Sequence, residues 1–200
     1  MNYNDLPILE TEFLLLRQIA ESDSNLIVRW CNNVHVEKNF LYRGDFTAET
    51  HRVWLREKVF TGEVVQYIIE VKCGGRFVPV GSVYLRDIDY ENSSAEFGIF
   101  IGEDFARGKG IGTEAAKIML DYGHNQLGLH RIFLRLIAEN IGAYKSYRKA
   151  GFVTEGIFRD MRKIDGKFVD IMFMSSIQNT GGYNFRGDLC TLSYREVACK

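Results

Sequence analysis

Three glycines on alternate positions are the most restrictive feature of this sequence. The stretch ARGKGIGTE, residues 106–114, places them between the strand-like run SAEFGIFIG and a segment with apolar residues at helical spacing. Glycine loses more backbone entropy on folding than any other residue, so three of them beside a helix start indicate a backbone requirement. The first N–H groups of a helix lack intrahelical partners, and with the helix dipole they attract an anion. The stretch therefore predicts a strand, a phosphate-binding turn and an amphipathic helix.

Two nucleotide-binding motifs resemble this stretch only in part. GIGTEA, residues 110–115, fits the dinucleotide fingerprint G-x-G-x-x-A, but that motif needs a strand running directly into its first glycine, and here EDFAR intervenes. A P-loop requires Ser or Thr after its lysine to hold magnesium, whereas Lys109 is followed by Gly110. Neither a dinucleotide nor ATP or GTP is therefore favoured as the phosphate ligand.

The rest of the chain predicts helices around an antiparallel meander. Residues 11–18 are strand-like, Ser22 or Ser24 offers an N-cap to a first helix, and Thr47 caps a second helix that Gly62 would end. The later predicted elements are the strands VVQYIIEVK, FVPVGSVYLRDI and SAEFGIFIG, the helix at residues 110–127, the strand RIFLRLIA, a short helix at residues 141–149 and a hairpin closed by Asp165-Gly166. We expect a mixed α+β sheet protein.

Composition limits the functional classes that this chain can belong to. With 46% hydrophobic residues, 26% charged residues and two prolines among 200, it can bury a sizeable core. A net charge of −1 gives no electrostatic basis for a nucleic-acid partner. The N-terminus has no basic region before an apolar run, and no window approaches the ~18 apolar residues of a membrane span. We therefore expect a cytoplasmic protein with no membrane partner.

Two further sequence features bear on metals and on domain organisation. Cys31, Cys73, Cys190 and Cys199 lie far apart with no CxxC pair, which predicts neither a metal site nor a disulfide framework. Residues 178–200 are polar and contain glycine, so we expect one domain at residues 1–177 and an appended tail. Chance explains the Arg-Gly-Asp tripeptide at residues 186–188 better than an adhesion function does.

Two segments in order resemble the GNAT acetyltransferases. Residues 107–112, after the strand AEFGIFIG, are similar to the family's pyrophosphate signature [Q/R]-x-x-G-x-[G/A]. ENIGAYKSYRKAGF, residues 139–152, resembles its next segment, with an asparagine at a strand end and a helix carrying a tyrosine. The resemblance covers roughly residues 10–177. It implies the acyl-CoA N-acyltransferase fold with a splayed parallel strand pair, acetyl-CoA as cosubstrate, a small-molecule amine as acceptor and no metal, and homodimers are frequent in the family.

The resemblance also implies roles for single residues. Tyr147 is expected to be the general acid, because a phenol of pKa ~10 can protonate a departing thiolate, whereas Tyr144 is a bystander. Glu96 is expected to be the general base, directly or through a water, with His51 and His130 as alternatives by residue type alone. The residues expected to bind the coenzyme are Ile99, Phe100, Ile101, Arg107, Gly108, Lys109, Gly110, Ile111, Gly112, Thr113, Asn140 and Tyr147.

The N-terminal third is expected to line the acceptor side. RWCNNVHVEKNF and FTAETHRVWL resemble a W-x-N element and a T-x-E-x-H-x-x-W helix of acetyltransferases that act on amino sugars attached to nucleotides, although Cys31 replaces the family's arginine. Arg29 or Arg43 would then meet the acceptor's phosphates. Trp30 and Trp54 are equally well explained as core aromatics. The residues expected to bind the acceptor are Trp30, Asn32, His51, Trp54, Tyr84 and Glu96.

Other acceptors stay open at this point. Residues 140–174 also resemble spermidine N-acetyltransferases, which makes a polyamine the alternative acceptor. A polyamine would favour an acidic groove, whereas the N-terminal region mixes Arg29, His35, Lys38 and Arg43 with few acids, so an amino-sugar nucleotide is preferred. The remaining alternatives are acetylation of protein N-termini, as in the ribosomal-protein subgroup, and a coenzyme A sensor without turnover.

Overall fold

The fold is an eight-stranded sheet with helices on both faces. The structure is a computed structural model, and it describes residues 6–41, 44 and 46–178. The strands are β1 (Leu9–Glu10), β2 (Leu14–Gln18), β3 (Val65–Cys73), β4 (Arg76–Asp89), β5 (Ser94–Ile101), β6 (Arg131–Ile137), β7 (Val153–Ile164) and β8 (Lys167–Ile177). The helices are α1 (Ser24–Cys31), α2 (Val34–Glu37), α3 (Ala48–Trp54), α4 (Ile111–Asn125) and α5 (Ile141–Ala150). The spatial order is β1-β2-β3-β4-β5-β6-β8-β7, and among these neighbours β5 and β6 pair in parallel.

The two faces of the sheet pack against different helices, because side chains alternate along each strand. On β3, Tyr67 and Ile69 belong to the main core, which includes the buried face of α4, while Ile68 between them packs into a second core with α1. We call these the α4 face and the α1 face. On β5, Ile99 and Ile101 pack on the α4 face and Phe100 on the α1 face. The strand β5 thus contributes to both sides of the molecule.

The predicted α+β class and the order of its elements are confirmed. The three runs of the meander form β3, β4 and β5, and the turn at Asp165-Gly166 joins β7 to β8. Thr47 caps α3 by accepting a hydrogen bond from the Thr50 N–H, as predicted. The helix then continues as a π-helical turn at residues 55–59.

The start of α1 corrects a prediction. Neither serine caps this helix with its side chain. Instead, a 3₁₀ turn at Glu21–Asp23 precedes it, and the Asp23 carboxylate accepts the Ala20 N–H at 2.8 Å while Arg17 donates to both of its oxygens. An ionised carboxylate held by a guanidinium is a stronger acceptor than a serine hydroxyl, which explains the difference.

Of the predicted tail, only Gln178 is described. Its N–H donates to the His130 carbonyl at 2.7 Å and its amide to the His124 carbonyl at 2.8 Å. Residues 179–200, with Cys190, Cys199 and the Arg-Gly-Asp tripeptide, lie outside the described residues. Within the part of the chain that is described, no helix combines the length and apolar character needed to cross a membrane.

Candidate active site

The parallel strands β5 and β6 part from each other halfway along. Their pairing comprises Ser94 with Arg131, Ala95 with Ile132 and Glu96 with Phe133, although β5 continues to Ile101. The other edge of β5 stays paired with β4 over this length. Beyond Glu96, the edge of β5 that faces β6 therefore offers backbone N–H and C=O groups, as predicted, and an extended ligand can bond to such an edge like an added strand.

The helix α4 begins beside this opening with an uncapped N-terminus. Its N-cap, Gly110, is left-handed with φ of 81° and gives no side-chain cap. The first hydrogen bond of the helix runs from the Glu114 N–H to the Gly110 carbonyl at 3.0 Å. The N–H groups of Ile111, Gly112 and Thr113 precede that bond, and with the helix dipole they suit a phosphate.

The three glycines serve different purposes. Gly108 and Gly110 have φ of 71° and 81°, and a methyl group on either Cα would meet nothing within 4 Å. Their left-handed backbone conformation alone thus explains why glycine occupies both positions, and no closely approaching atom is needed to explain it. A methyl group on Gly112 would lie 3.8 Å from Ile101 Cγ1 and 3.9 Å from Ser146 Oγ. Gly112 therefore faces the space between the end of β5 and α5, where a ligand would approach.

The position of Arg107 corrects a prediction. We expected its guanidinium to contact a pyrophosphate, but Nε donates to the Ile101 carbonyl at 3.1 Å and Nη2 to the Gly102 carbonyl at 3.2 Å. Its Nη1 pairs with Asp104 at 2.5 Å. With all three nitrogens engaged by protein, Arg107 fastens the glycine turn to the end of β5. Lys109 is exposed within the turn.

A cleft of about 560 Å³ lies at the open end of the splayed strands. Its lining residues come from α2, from the glycine turn and from the segment that joins β6 to α5, and they include His35, Lys38, Arg107, Ile137, Glu139 and Asn140. Lys38 and Arg107 are cationic and Glu139 is anionic, but the Arg107 guanidinium is already paired with Asp104, so the lining has little excess positive charge.

Helix α5 borders the same opening and is fixed at both ends. Asn140 is its N-cap, and Oδ1 accepts the Ala143 N–H at 3.1 Å. Gly151, left-handed with φ of 114°, ends the helix. At the middle of α5, the Ser146 hydroxyl lies 2.8 Å from the hydroxyl of Thr113 in the first turn of α4, and this contact connects the two helices. The described side-chain contact of Asn140 is thus to its own helix, and its expected contact with the coenzyme stays a prediction.

Replacing Asn140 with alanine should destabilise the fold by about 1 kcal/mol, because the Ala143 N–H would lose its acceptor. Urea unfolding followed by circular dichroism measures this change. Asn140→Asp retains an acceptor oxygen at the cap, and it should unfold close to the wild-type midpoint. Equal midpoints for Asn140→Ala and wild type would show that the cap contributes no stability.

Tyr147 lies on the side of α5 that faces the main core. Its half-buried ring makes edge contacts with Phe97 on β5 and with Phe152, at centroid distances of 6.0 Å and 5.8 Å. Burial raises the pKa of the Tyr147 phenol, and the Tyr84 phenol raises this pKa further. The hydroxyl is therefore protonated at neutral pH and carries a proton that it can give, although a raised pKa also makes the phenol a weaker acid. Tyr144 has a different neighbour, since its hydroxyl lies 3.4 Å from Arg148 Nη1.

Glu96 is buried rather than open to solvent, with 5% of its surface exposed. Its Oε1 accepts from Arg135 Nε at 3.0 Å, while Oε2 accepts from Arg135 Nη2 at 2.8 Å and from Arg86 at 3.1 Å. Both oxygens are thus engaged, and the described geometry does not favour the predicted general base. The carboxylate instead ties β4, β5 and β6 together at the last paired position before the strands part.

Neither histidine offered as an alternative base reaches the opening. His51 is buried between α3 and α1, where Nδ1 lies 3.0 Å from Ser24 Oγ, and burial lowers the pKa of its imidazole to about 4. His130 precedes β6, at the end where β5 and β6 are still paired. The predicted acceptor role of His51 is therefore corrected as well, because its ring belongs to the helix interface.

Several other residues predicted to meet the acceptor serve the second core instead. Trp30 is 1% exposed and donates to Glu103 at 2.8 Å, so its ring cannot stack on a substrate. Trp54 is half-buried, packs against the same core and donates to Gln66 at 3.3 Å. Exposed Asn32 donates to the Phe46 carbonyl at 3.2 Å. These contacts follow from the amphipathic pattern of α1 and α3, which places large aromatics inward.

The two arginines expected at the acceptor's phosphates have different outcomes. Arg29 is paired with the Glu103 carboxylate, which compensates its charge. Arg43 lies outside the described residues. Tyr84, by contrast, is half-buried on the α1 face and lies across Gly98 of β5, directly after the point where β5 leaves β6.

Comparisons with known proteins agree with this geometry. The family described as "Acetyltransferase (GNAT) domain" matches residues 14–153. An uncharacterized N-acetyltransferase, p20 of Bacillus licheniformis, is 28% identical over 174 residues, which cover 85% of this chain and 96% of that protein. The spermidine N(1)-acetyltransferase of Escherichia coli K12 is 36% identical over 109 residues, covering 54% of this chain and 57% of that protein.

A solved structure is also similar over most of the chain. The spermidine N-acetyltransferase of Vibrio cholerae, in complex with CoA and spermine, has a TM-score of 0.76 and 26% identity, covering 83% of this chain and 96% of that one. The open edge of β5 and the uncapped start of α4 fit the pantetheine and pyrophosphate of coenzyme A. The chain belongs to the GNAT family and is an acetyl-CoA-dependent N-acetyltransferase.

Proposed function

We propose that this enzyme acetylates a primary amine of a small molecule by direct attack of the amine on the thioester of acetyl-CoA. The arrangement that carries the proposal is the convergence of three groups at one opening. The free edge of β5 ends next to the uncapped start of α4, and Tyr147 packs on Phe97 of the same strand. A thioester held along β5 would lie between the phosphate site and a proton donor.

In this proposal, acetyl-CoA supplies the acetyl group and a thiolate leaving group. The N–H groups at residues 111–113 bind the pyrophosphate, and the backbone of Ile99, Phe100 and Ile101 binds the pantetheine arm. The amine nitrogen forms a bond to the carbonyl carbon, and the carbon–sulfur bond then breaks. Tyr147 gives its proton to the sulfur, while the proton lost by the amine goes to water. The Tyr147 phenolate then takes a proton back from water, so a neutral amine and acetyl-CoA give amide and free thiol with no net release of a proton.

Glu96 has a positioning role in this mechanism. Its three hydrogen bonds to Arg86 and Arg135 fix the separation of β5 and β6 where the opening starts. Using this carboxylate as a base would neutralise the charge that faces two guanidinium groups and so weaken these charge-assisted hydrogen bonds, which are stronger than neutral ones. Proton release to solvent avoids that cost.

For the acceptor, we propose a polyamine of the spermidine class. Two of the three similar proteins named above act on spermidine according to their names, and this supports the polyamine over the amino-sugar nucleotide that the sequence favoured. One observation keeps the amino-sugar nucleotide as a second candidate. Lys38 lines the cleft at the mouth of the opening, and this cationic side chain could contact a phosphate of such an acceptor.

Measuring the free thiol that the enzyme releases from acetyl-CoA in the presence of each candidate amine would test which acceptor it uses. We expect a higher kcat/KM for spermidine than for UDP-linked amino sugars or for peptides with a free N-terminus. If the enzyme acetylated the UDP-linked amino sugars and not spermidine, the amino-sugar nucleotide would become the proposed acceptor. An enzyme that binds acetyl-CoA but turns over no amine would instead support the coenzyme A sensor, and the proposed function would be dropped.

A further inference from the structure

Tyr84 and Gly98 form a pair across neighbouring strands. They are directly opposite in the β4–β5 ladder. A methyl group on the Cα of Gly98 would overlap with the far end of the Tyr84 ring, including Cζ and the hydroxyl oxygen. The Tyr84 side chain therefore lies flat over the backbone of β5, and only glycine at position 98 permits this placement.

The Tyr84 hydroxyl has no hydrogen-bond partner among the described residues, and the side chain as a whole is half-buried. The ring itself is held in place, because it packs against the second core and the Arg86 guanidinium lies 5.9 Å from its centroid. Arg86 is in turn held by Glu96. A fixed ring with an unpaired hydroxyl is a preorganised contact for a ligand.

Tyr84 and Tyr147 approach β5 from opposite faces of the sheet. Tyr147 packs with the main core on the α4 face, whereas Tyr84 packs with the second core on the α1 face. Each meets β5 at neighbouring residues, Tyr147 at Phe97 and Tyr84 at Gly98. These residues directly follow Glu96, the last residue of β5 that pairs with β6. The opening between the strands is therefore bordered by one phenol on each face.

We propose that the Tyr84 hydroxyl, placed over Gly98, binds the acceptor amine and orients it toward the thioester. This inference rests on the proposed function and locates the acceptor on the α1 face, opposite the proton donor. The neutral amine would donate one N–H to the Tyr84 oxygen, which directs the nitrogen lone pair into the opening. Tyr84 moves no proton in this role. Burial raises the pKa of its phenol, so the hydroxyl stays protonated and accepts through its oxygen.

Kinetics of Tyr84→Phe, measured with an amine that the wild type acetylates, would test the assignment. We expect kcat/KM for the amine to fall about tenfold or more, because the nucleophile loses its orienting contact. The KM for acetyl-CoA should stay at the wild-type value. Gly98→Ala should lower amine kcat/KM in the same way by displacing the ring, while the stabilisation by acetyl-CoA shows that this variant is folded.

Tyr90→Phe is the matched control, because Tyr90 follows β4 in the same hairpin with 56% of its surface exposed and should keep wild-type kinetics. Unchanged amine kinetics in Tyr84→Phe would overturn the assignment while the proposed function stands. An equal rise in the KM for acetyl-CoA would also overturn it, since the contact would then lie on the coenzyme. A wild-type enzyme that acetylates no amine would remove both proposals.

Discussion

Tyr147→Phe should lower kcat by about 10²–10⁴-fold, the usual contribution of general acid catalysis. The substitution removes the hydroxyl and keeps the ring, so its contacts with Phe97 and Phe152 remain. Affinity for acetyl-CoA should therefore change little. Because burial raises the pKa of Tyr147, the phenol stays protonated at neutral pH, and the loss should be uniform from about pH 6 to pH 9. Steady-state kinetics across this range would measure it.

Tyr144→Phe is the control for this experiment. Tyr144 lies one helical turn before Tyr147, and the contact it loses is the long one to Arg148 at 3.4 Å. Its variant should retain wild-type kcat. If Tyr147→Phe also retained wild-type kcat, the thiolate would leave without help from this residue and Tyr147 would have no part in the mechanism.

Gly112→Val should abolish the stabilisation of the protein by acetyl-CoA. At a ligand concentration 100 times Kd, wild type should gain about 2.7 kcal/mol, which corresponds to a rise in Tm of about 5–10 °C for a chain of this size. The branched side chain would occupy the space between Ile101 and Ser146, next to the N–H groups that bind phosphate. Gly112 has an ordinary helical conformation, so the free variant should remain folded.

Gly156→Val is the control for the thermal measurement. A methyl group on Gly156 would meet nothing within 4 Å, and this residue of β7 does not have a positive φ. Its variant should keep the full thermal shift. Normal stabilisation of Gly112→Val by acetyl-CoA would show that the phosphates bind elsewhere. Gly110 is a poorer choice for this test, because its left-handed backbone would strain any other residue.

Local sequence signals predicted the elements of the fold, whereas the residues expected to bind the coenzyme stay predictions. The strand, glycine turn and helix at residues 94–125 depend on residues that are close together in the sequence. The spacing of apolar residues and the positions of glycines therefore suffice to predict them. Asn140 likewise caps the helix that directly follows it. The family resemblance supplied what the residues alone did not, namely that β5 and β6 part and that acetyl-CoA fits there. The homodimer that the resemblance implies stays a prediction.

The acceptor side was predicted less well because it depends on contacts between distant residues. Arg135 reaches Glu96 from a strand 39 residues later in the sequence, and nothing near either residue indicates that pair. The cross-strand pair of Arg86 with Glu96 could have been predicted from the short turn between β4 and β5. Trp30 and His51 were predicted to bind the acceptor from their residue types within a motif. Both side chains are instead buried in the protein, so neither is free to contact a substrate.

The division of β5 between two cores also bears on how such an enzyme can diversify. Ile99 and Ile101 face α4 while Phe100 faces α1. Neighbouring positions along β5 are therefore constrained by packing in two different cores. With the coenzyme and the amine placed as we propose, substitutions in α1 and α3 would act mainly on the amine side. Substitutions in α4 and α5 would act mainly on the coenzyme side. Selection for a new acceptor can therefore proceed on one face of the sheet while the chemistry common to the family is retained on the other.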